Sequence, residues 1–138
     1  MNSSVIYVSK TGHSKKIAEA LGKELHIPVV NVVSNPEIKA TDLLFIVAGI
    51  YGGKSDPKLL EYVGNLDSTK VKKAVLITSC TSKTNKQDMV REILKKKGIE
   101  VHSDEFICQG SFLFFGLGHP NAADITRAVS FSKEILNS

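Results

Sequence analysis

With 138 residues, 42% of them hydrophobic and 23% charged, the chain has the composition of an ordinary globular domain, which excludes a disordered or fibrous protein. Eighteen Lys and Arg against 14 Asp and Glu leave a formal charge of +4, and the two cysteines, Cys80 and Cys108, match no zinc or Cys-x-x-Cys spacing. No apolar run is long enough for a bilayer, and residues 1–4 lack the basic and apolar regions of a secretory signal, so the expectation is one cytoplasmic domain over residues 1–138 with free thiols.

Residues 5–8 (Val-Ile-Tyr-Val) form a compact apolar run that reads as the first strand. From Ser14 onward, Ile17, Ala18, Leu21 and Leu25 make a helical stripe, closed by Pro28. Residues 29–33 read as the second strand. The stretch 34–42 is too short and polar for a long helix, and predicts a loop or a single turn. Residues 43–48 are apolar throughout, as in a strand covered on both faces.

A glycine-rich loop follows at 49–56, and Pro57 suits the first turn of a helix carrying Leu59, Leu60, Val63 and Leu66. Residues 74–78 read as the fourth strand and 79–85 as a polar loop. The next helix shows Met89, Val90, Ile93 and Leu94, with Gly98 placed to cap its C-terminus. A fifth strand lies within 100–108. Residues 109–119 mix Phe112, Leu113, Phe114 and Phe115 with glycines, a pattern that suits either a core or a pocket lining. The last helix starts near Asn121, with Asp124 in a cap-like position and Ile125, Val129 and Ile135 on its apolar face.

Five strands alternating with helices imply right-handed βαβ crossovers, hence a three-layer, doubly wound, five-stranded parallel sheet of the α/β class. Ligands of such sheets bind beyond the carboxyl ends of the strands. The loops leaving the first, third and fourth strands therefore matter most.

In the first of these loops Ser9, Thr11 and Ser14 offer hydroxyls around Gly12, directly after a strand and at the start of a helix. Free backbone N–H groups and the positive end of the helix dipole make that an anion site suited to a phosphate. A helix cap alone would explain one hydroxyl rather than three. The glycine-rich loop does not form a nucleotide P-loop at Gly53-Lys54-Ser55, because Ala48 stands where the required glycine would be. A dinucleotide fingerprint is also absent.

The run Ser9-Lys10-Thr11-Gly12-His13-Ser14 resembles the FMN-phosphate loop of flavodoxins, and the likeness extends over nearly the whole chain in strand–helix order. Gly49-Ile50-Tyr51-Gly52-Gly53 sits where that family's second flavin loop lies, and Ser79-Cys80-Thr81-Ser82 where the third does. Gly118-His119-Pro120-Asn121 is similar to a feature of small flavodoxin-like proteins. The resemblance implies strand order 2-1-3-4-5, FMN as cofactor and redox proteins as partners. It further implies phosphate contacts from Ser9, Lys10, Thr11, Gly12, His13 and Ser14. Ile50, Tyr51, Gly52, Gly53 and Lys54 would border the flavin ring on one side, with Ser79, Cys80, Thr81 and Ser82 on the other. A turnover of the Gly52–Gly53 backbone, offering a carbonyl to the flavin N5–H after one-electron reduction, is likewise implied by the family.

Tyr51 has the ring for an offset aromatic contact, there being no Trp. Cys80 has no second cysteine nearby in sequence and nothing that marks an activated thiolate. His13 and His119 form no Ser-His-Asp pattern and no histidine pair with metal-ligand spacing, so no metal is expected. Lysines at 70, 72 and 73 and at 95–97 read as solvated helix ends, because no stacking aromatics accompany them, and neither nucleic acid nor membrane is expected as a partner.

The chain departs from the resemblance in three ways. It is basic where many flavodoxins are strongly acidic, it lacks Trp, and 34–42 is short for the second crossover helix. Lys10 and Lys54 flank the expected site, where cations favour an anionic reduced flavin. The expected function is an FMN-binding electron carrier between redox enzymes. The alternatives are a flavin-dependent reductase or oxidase acting on a small substrate, and a flavin-free module of the same shape.

Overall fold

The computed structural model describes residues 2–9, 12–51, 54–80, 87–109 and 122–137. In chain order the elements are β1 (Ser3–Tyr7), α1 (His13–Leu25), β2 (Val29–Asn31), a 3-10 turn (Val32–Ser34), β3 (Thr41–Tyr51), β4 (Lys54–Ser55), α2 (Pro57–Gly64), β5 (Val71–Cys80), α3 (Asp88–Lys96), β6 (Glu100–Val101), β7 (Phe106–Gln109) and α4 (Ala122–Leu136). The sheet runs β2-β1-β3-β5-β6, and β7 also pairs with β5. Counted by position, this is the expected order 2-1-3-4-5, and every pairing along it is parallel.

The pleat sorts the core into two layers. On one face Ile6, Leu44, Ile46, Ala74 and Leu76 pack against Leu59, Tyr62 and Val63 of α2 and Val90 and Leu94 of α3. On the other, Val5, Tyr7, Phe45, Val47, Val75 and Ile77 meet Ile17, Ala18 and Leu21 of α1 and Ala128, Val129 and Ile135 of α4. Alternate residues of one strand thus serve opposite layers, which is why the strands read as unbroken apolar runs. Each fully buried large side chain, such as Phe45 at 0% exposure, contributes about 1.5–3 kcal/mol of transfer free energy.

Helix α1 lies close against β2. Gly22 is buried, and a Cβ there would run into the side chain of Val29 and the carbonyl of Ile27. The helix ends on His26, whose φ of 57° turns the chain toward Pro28 and β2. Asp56 caps α2 by accepting from the Lys58 N–H at 2.8 Å, with Pro57 in the first turn. Gly98, at φ 81°, closes α3, where the Ile99 N–H donates back to the Leu94 carbonyl at 3.0 Å.

The observed elements differ from the sequence expectation in three places. Val32 and Val33, which read as strand, form the 3-10 turn, because Asn31 accepts from the Val33 N–H at 3.0 Å and the Ser34 hydroxyl donates to the Asn31 carbonyl at 2.8 Å. Irregular chain then covers 35–40 without a crossover helix, tied to α2 by the Tyr62 hydroxyl donating to the Pro36 carbonyl at 2.6 Å. Second, β3 continues to Tyr51 and Lys54–Ser55 pairs back on it antiparallel, within what read as a loop. Third, the fifth position is shared by β6 and β7, interrupted at 102–105 where Glu105 turns inward to Arg91. Among the described residues no helix is long and apolar enough to cross a membrane.

Candidate functional site

Because β1, β3, β5 and β7 run parallel, the segments that follow them leave the sheet at its C-terminal edge, and helices α1 to α4 all begin there. The four helices direct the positive ends of their dipoles to that edge.

The connection from β1 to α1 is the most fully described part. The Gly12 N–H donates to the Ser9 hydroxyl at 2.9 Å, which ties the start of α1 to the end of the strand. Gly12 holds φ at 89° while its carbonyl accepts the first helical bond from the Lys16 N–H at 3.0 Å. A Cβ at Gly12 would meet nothing within 4 Å, so glycine is required there for handedness and not for space. His13 opens α1 half-buried, and partial burial followed by the charge of Lys16 holds its imidazole below the usual value.

Ser14 is fully buried in that first turn, and its hydroxyl has no hydrogen-bond partner among the described residues. An unsatisfied buried hydroxyl costs about 1–3 kcal/mol. An acceptor group placed over the turn would satisfy it. The residues present therefore fit a phosphate. Lys10 and Thr11 lie outside the described residues.

In the second loop Ile50 is buried at the end of β3, opposite Ser55, and the Tyr51 backbone pairs with Lys54. The Lys54 side chain is exposed, and Gly52 and Gly53 lie outside the described residues. In the third, Ser79 is buried beside Gly49, and Cys80 closes β5 in register with Gln109. Thr81 and Ser82 lie outside the described residues, as do Phe112, Phe114, Phe115 and the Gly118–Asn121 stretch. The structure thus brings Ser9, Gly12, His13, Ser14, Ile50, Tyr51, Lys54, Ser79 and Cys80 to one edge.

Sequence reasoning missed Gln87, which begins the chain again after the third loop. It is fully buried; its side-chain amide donates to the Ile77 carbonyl at 2.9 Å and more weakly to the Ile46 carbonyl at 3.4 Å. Its backbone N–H donates to Glu105 at 3.1 Å, and Glu105 is held in turn by Arg91 at 3.1 Å. The residue before α3 is therefore fixed to two central strands and to the fifth sheet position at once. No local pattern announces this, because every partner is distant in sequence.

Two open grooves lie at the opposite edge, on either side of the stretch 35–40, with volumes of about 290 and 580 Å³. They exist because no crossover helix covers that region, and they have no part in the site. Among the described residues no group of three His, Cys, Asp or Glu could hold a metal ion.

The model of the flavodoxin domain family matches residues 4–112. An uncharacterized protein of Methanocaldococcus jannaschii is 32% identical over 140 residues, covering 91% of each chain. Among solved structures, Flavodoxin 2 of Bacillus cereus superposes with a TM-score of 0.72 at 15% identity, over 99% of each chain. A short-chain flavodoxin associated with a bacterial microcompartment gives 0.68 at 18% identity, over 99% of this chain and 98% of its own. An NAD(P)H:quinone oxidoreductase of Methanothermobacter marburgensis gives 0.63 at 13% identity, over 96% and 99%. At such identities the structures establish a shared fold.

Proposed function

The chain belongs to the flavodoxin domain family, and from that premise we propose that it binds FMN non-covalently and carries electrons between redox enzymes of the cytoplasm. Family membership supports a flavin-binding redox protein. The observation that carries the finer reading is the fully buried hydroxyl of Ser14 in the first turn of α1, without a partner among the described residues and two residues after a glycine at φ 89°.

When bound, FMN supplies the one- and two-electron chemistry, and the protein contributes binding, orientation and electrostatic tuning. Ser9, Thr11, Gly12 and Ser14 would hold the phosphate, with the α1 dipole favouring its charge. Tyr51, Gly52 and Gly53 would border the ring on one side, and Thr81 and Ser82 would reach its polar rim from the other. Lys54, exposed at the edge, would stabilise negative charge on the ring only weakly, through solvent.

The test is a titration of apoprotein with FMN and, in parallel, riboflavin, followed by quenching of flavin fluorescence. Tight FMN binding with weak riboflavin binding supports a phosphate in the loop that ends at Ser14. Binding of neither flavin refutes the reading. Steady turnover of NAD(P)H with a small acceptor, in the absence of any partner protein, would favour a reductase over a carrier.

A further inference from the structure

Gln87 stands immediately before α3, where a Ser, Thr, Asn or Asp would cap the helix, yet its side chain makes no cap hydrogen bond. It turns into the sheet instead and is fully buried. The side-chain NH2 donates to the Ile77 carbonyl of β5 at 2.9 Å and, at 3.4 Å, to the Ile46 carbonyl of β3, so one group spans the two central strands. The amide oxygen has no partner among the described residues.

This is a poor arrangement if stability is its only purpose. A buried amide satisfied at one end gains little over an apolar side chain of the same volume, and the helix forgoes a cap. Nor do the strands need joining, since β3 and β5 already pair in register from Thr41–Val71 to Gly49–Ser79. What the amide adds is a tie from the start of α3 to both strands just below the point where they leave the sheet for Ile50 and Ser79. The backbone extends that tie to the next strand. The Gln87 N–H donates at 3.1 Å to Glu105, the residue before β7, and Arg91 in α3 holds Glu105 at 3.1 Å while donating to the His102 carbonyl at 3.1 Å. In turn, β7 sets Cys108 opposite Ser79.

We propose that Gln87 is a positioning residue for the flavin ring: its side chain, bridging β3 and β5, and its backbone, tied through Glu105 to β7, hold the strand ends that border the ring at the spacing the ring requires. The inference rests on reading this edge as the flavin site. A ring lying between the ends of β3 and β5 depends on both at once, so a small change in their separation or in the start of α3 weakens its binding. The turn from Ser9 to Ser14 belongs to β1 and α1 and is no part of this tie. Gln87 therefore acts on the ring and leaves the phosphate contacts alone.

The experiment compares Gln87→Met and Gln87→Asn with the unmodified chain in fluorescence titrations with riboflavin and with FMN. Methionine keeps the volume and removes the donor. Asparagine is too short to reach the two carbonyls but is a favoured helix cap, so it protects the fold while breaking the tie. Each variant should weaken riboflavin and FMN by the same factor, roughly five- to tenfold, because the loss is on the ring side. The visible absorption bands of the bound flavin should move in both variants. Gly22→Ala, which strains α1 against β2 away from this edge, serves as the control for stability alone and should leave riboflavin affinity within about twofold and the bands unmoved. In the apoprotein, amide hydrogen exchange should quicken at residues 49–50 and 79 in the Gln87 variants and not in Gly22→Ala.

Riboflavin affinity and absorption bands unchanged in folded Gln87→Asn would overturn the proposal. So would an equal loss in Gly22→Ala, or a loss confined to FMN, which would put the effect at the phosphate. Exchange unchanged at 49–50 and 79 would overturn the tie itself. An unmodified chain that binds neither flavin would refute the flavin reading, and the proposal with it; one that binds both while the Gln87 variants match it refutes the proposal alone.

Discussion

Ser14→Ala should move cofactor affinity and apoprotein stability in opposite directions. In the apoprotein the Ser14 hydroxyl is fully buried without a partner among the described residues, so its removal abolishes a desolvation penalty of about 1–3 kcal/mol. Alanine also adds about 0.5 kcal/mol of helix propensity. The Tm of the apoprotein should therefore rise, by about 3–4 °C for each kcal/mol gained in a chain of this length. Toward FMN the same change would delete the proposed hydrogen bond to a charged group, about 1.5–3 kcal/mol, and should weaken binding roughly 10- to 150-fold. Riboflavin has no phosphate, so its affinity should stay within about twofold, a few tenths of a kcal/mol. Fluorescence titrations with both flavins and thermal melts of the apoprotein measure all three quantities. Unchanged FMN affinity, or an equal loss for FMN and riboflavin, would refute the phosphate assignment. A fall in the apoprotein Tm would show that the hydroxyl has a structural role in the unloaded fold.

Gly22→Ala places a methyl group against Val29 and the Ile27 carbonyl, and should destabilise the apoprotein by about 1–3 kcal/mol in urea unfolding, although alanine is the better helix former. Arg91→Met leaves the nearly buried Glu105 carboxylate without its cation and should cost about 3–5 kcal/mol; adding Glu105→Leu should recover most of that loss, which a double-mutant cycle measures. His13 binds its proton less readily in the fold than in the unfolded chain, so below pH 6.5, its ordinary value, the unfolded state holds more protons and stability falls as pH is lowered. Melts of the apoprotein between pH 5 and 7 should show that slope flattened in His13→Gln, and an unchanged slope would refute the contribution.

The strand–helix alternation, the convergence of the Ser9, Tyr51 and Ser79 loops on one edge, the glycine at the start of α1, Pro57 in the first turn of α2 and Gly98 at the end of α3 were all legible in the sequence. Each is carried by a local signal: an apolar period, a cap, or a residue whose backbone freedom suits one position. Local signals fail where distant parts of the chain decide. The apolar run could not show where Val32 and Val33 leave the sheet: Asn31 and Ser34 turn the chain by local bonds that have no apolar period, and the segment beyond is held by Tyr62, 26 residues from Pro36. The division of the fifth sheet position into β6 and β7 depends on Glu105 facing Arg91, a pairing with no sequence period. Gln87 reads as an ordinary polar loop residue until Ile77, Ile46 and Glu105 are brought around it. The sequence by itself determined which residue types stand at the binding edge. Only tertiary packing decided that the Ser14 hydroxyl is sealed from solvent with no acceptor among the described residues, because burial is a property of the assembled α1–sheet interface and not of any residue in it.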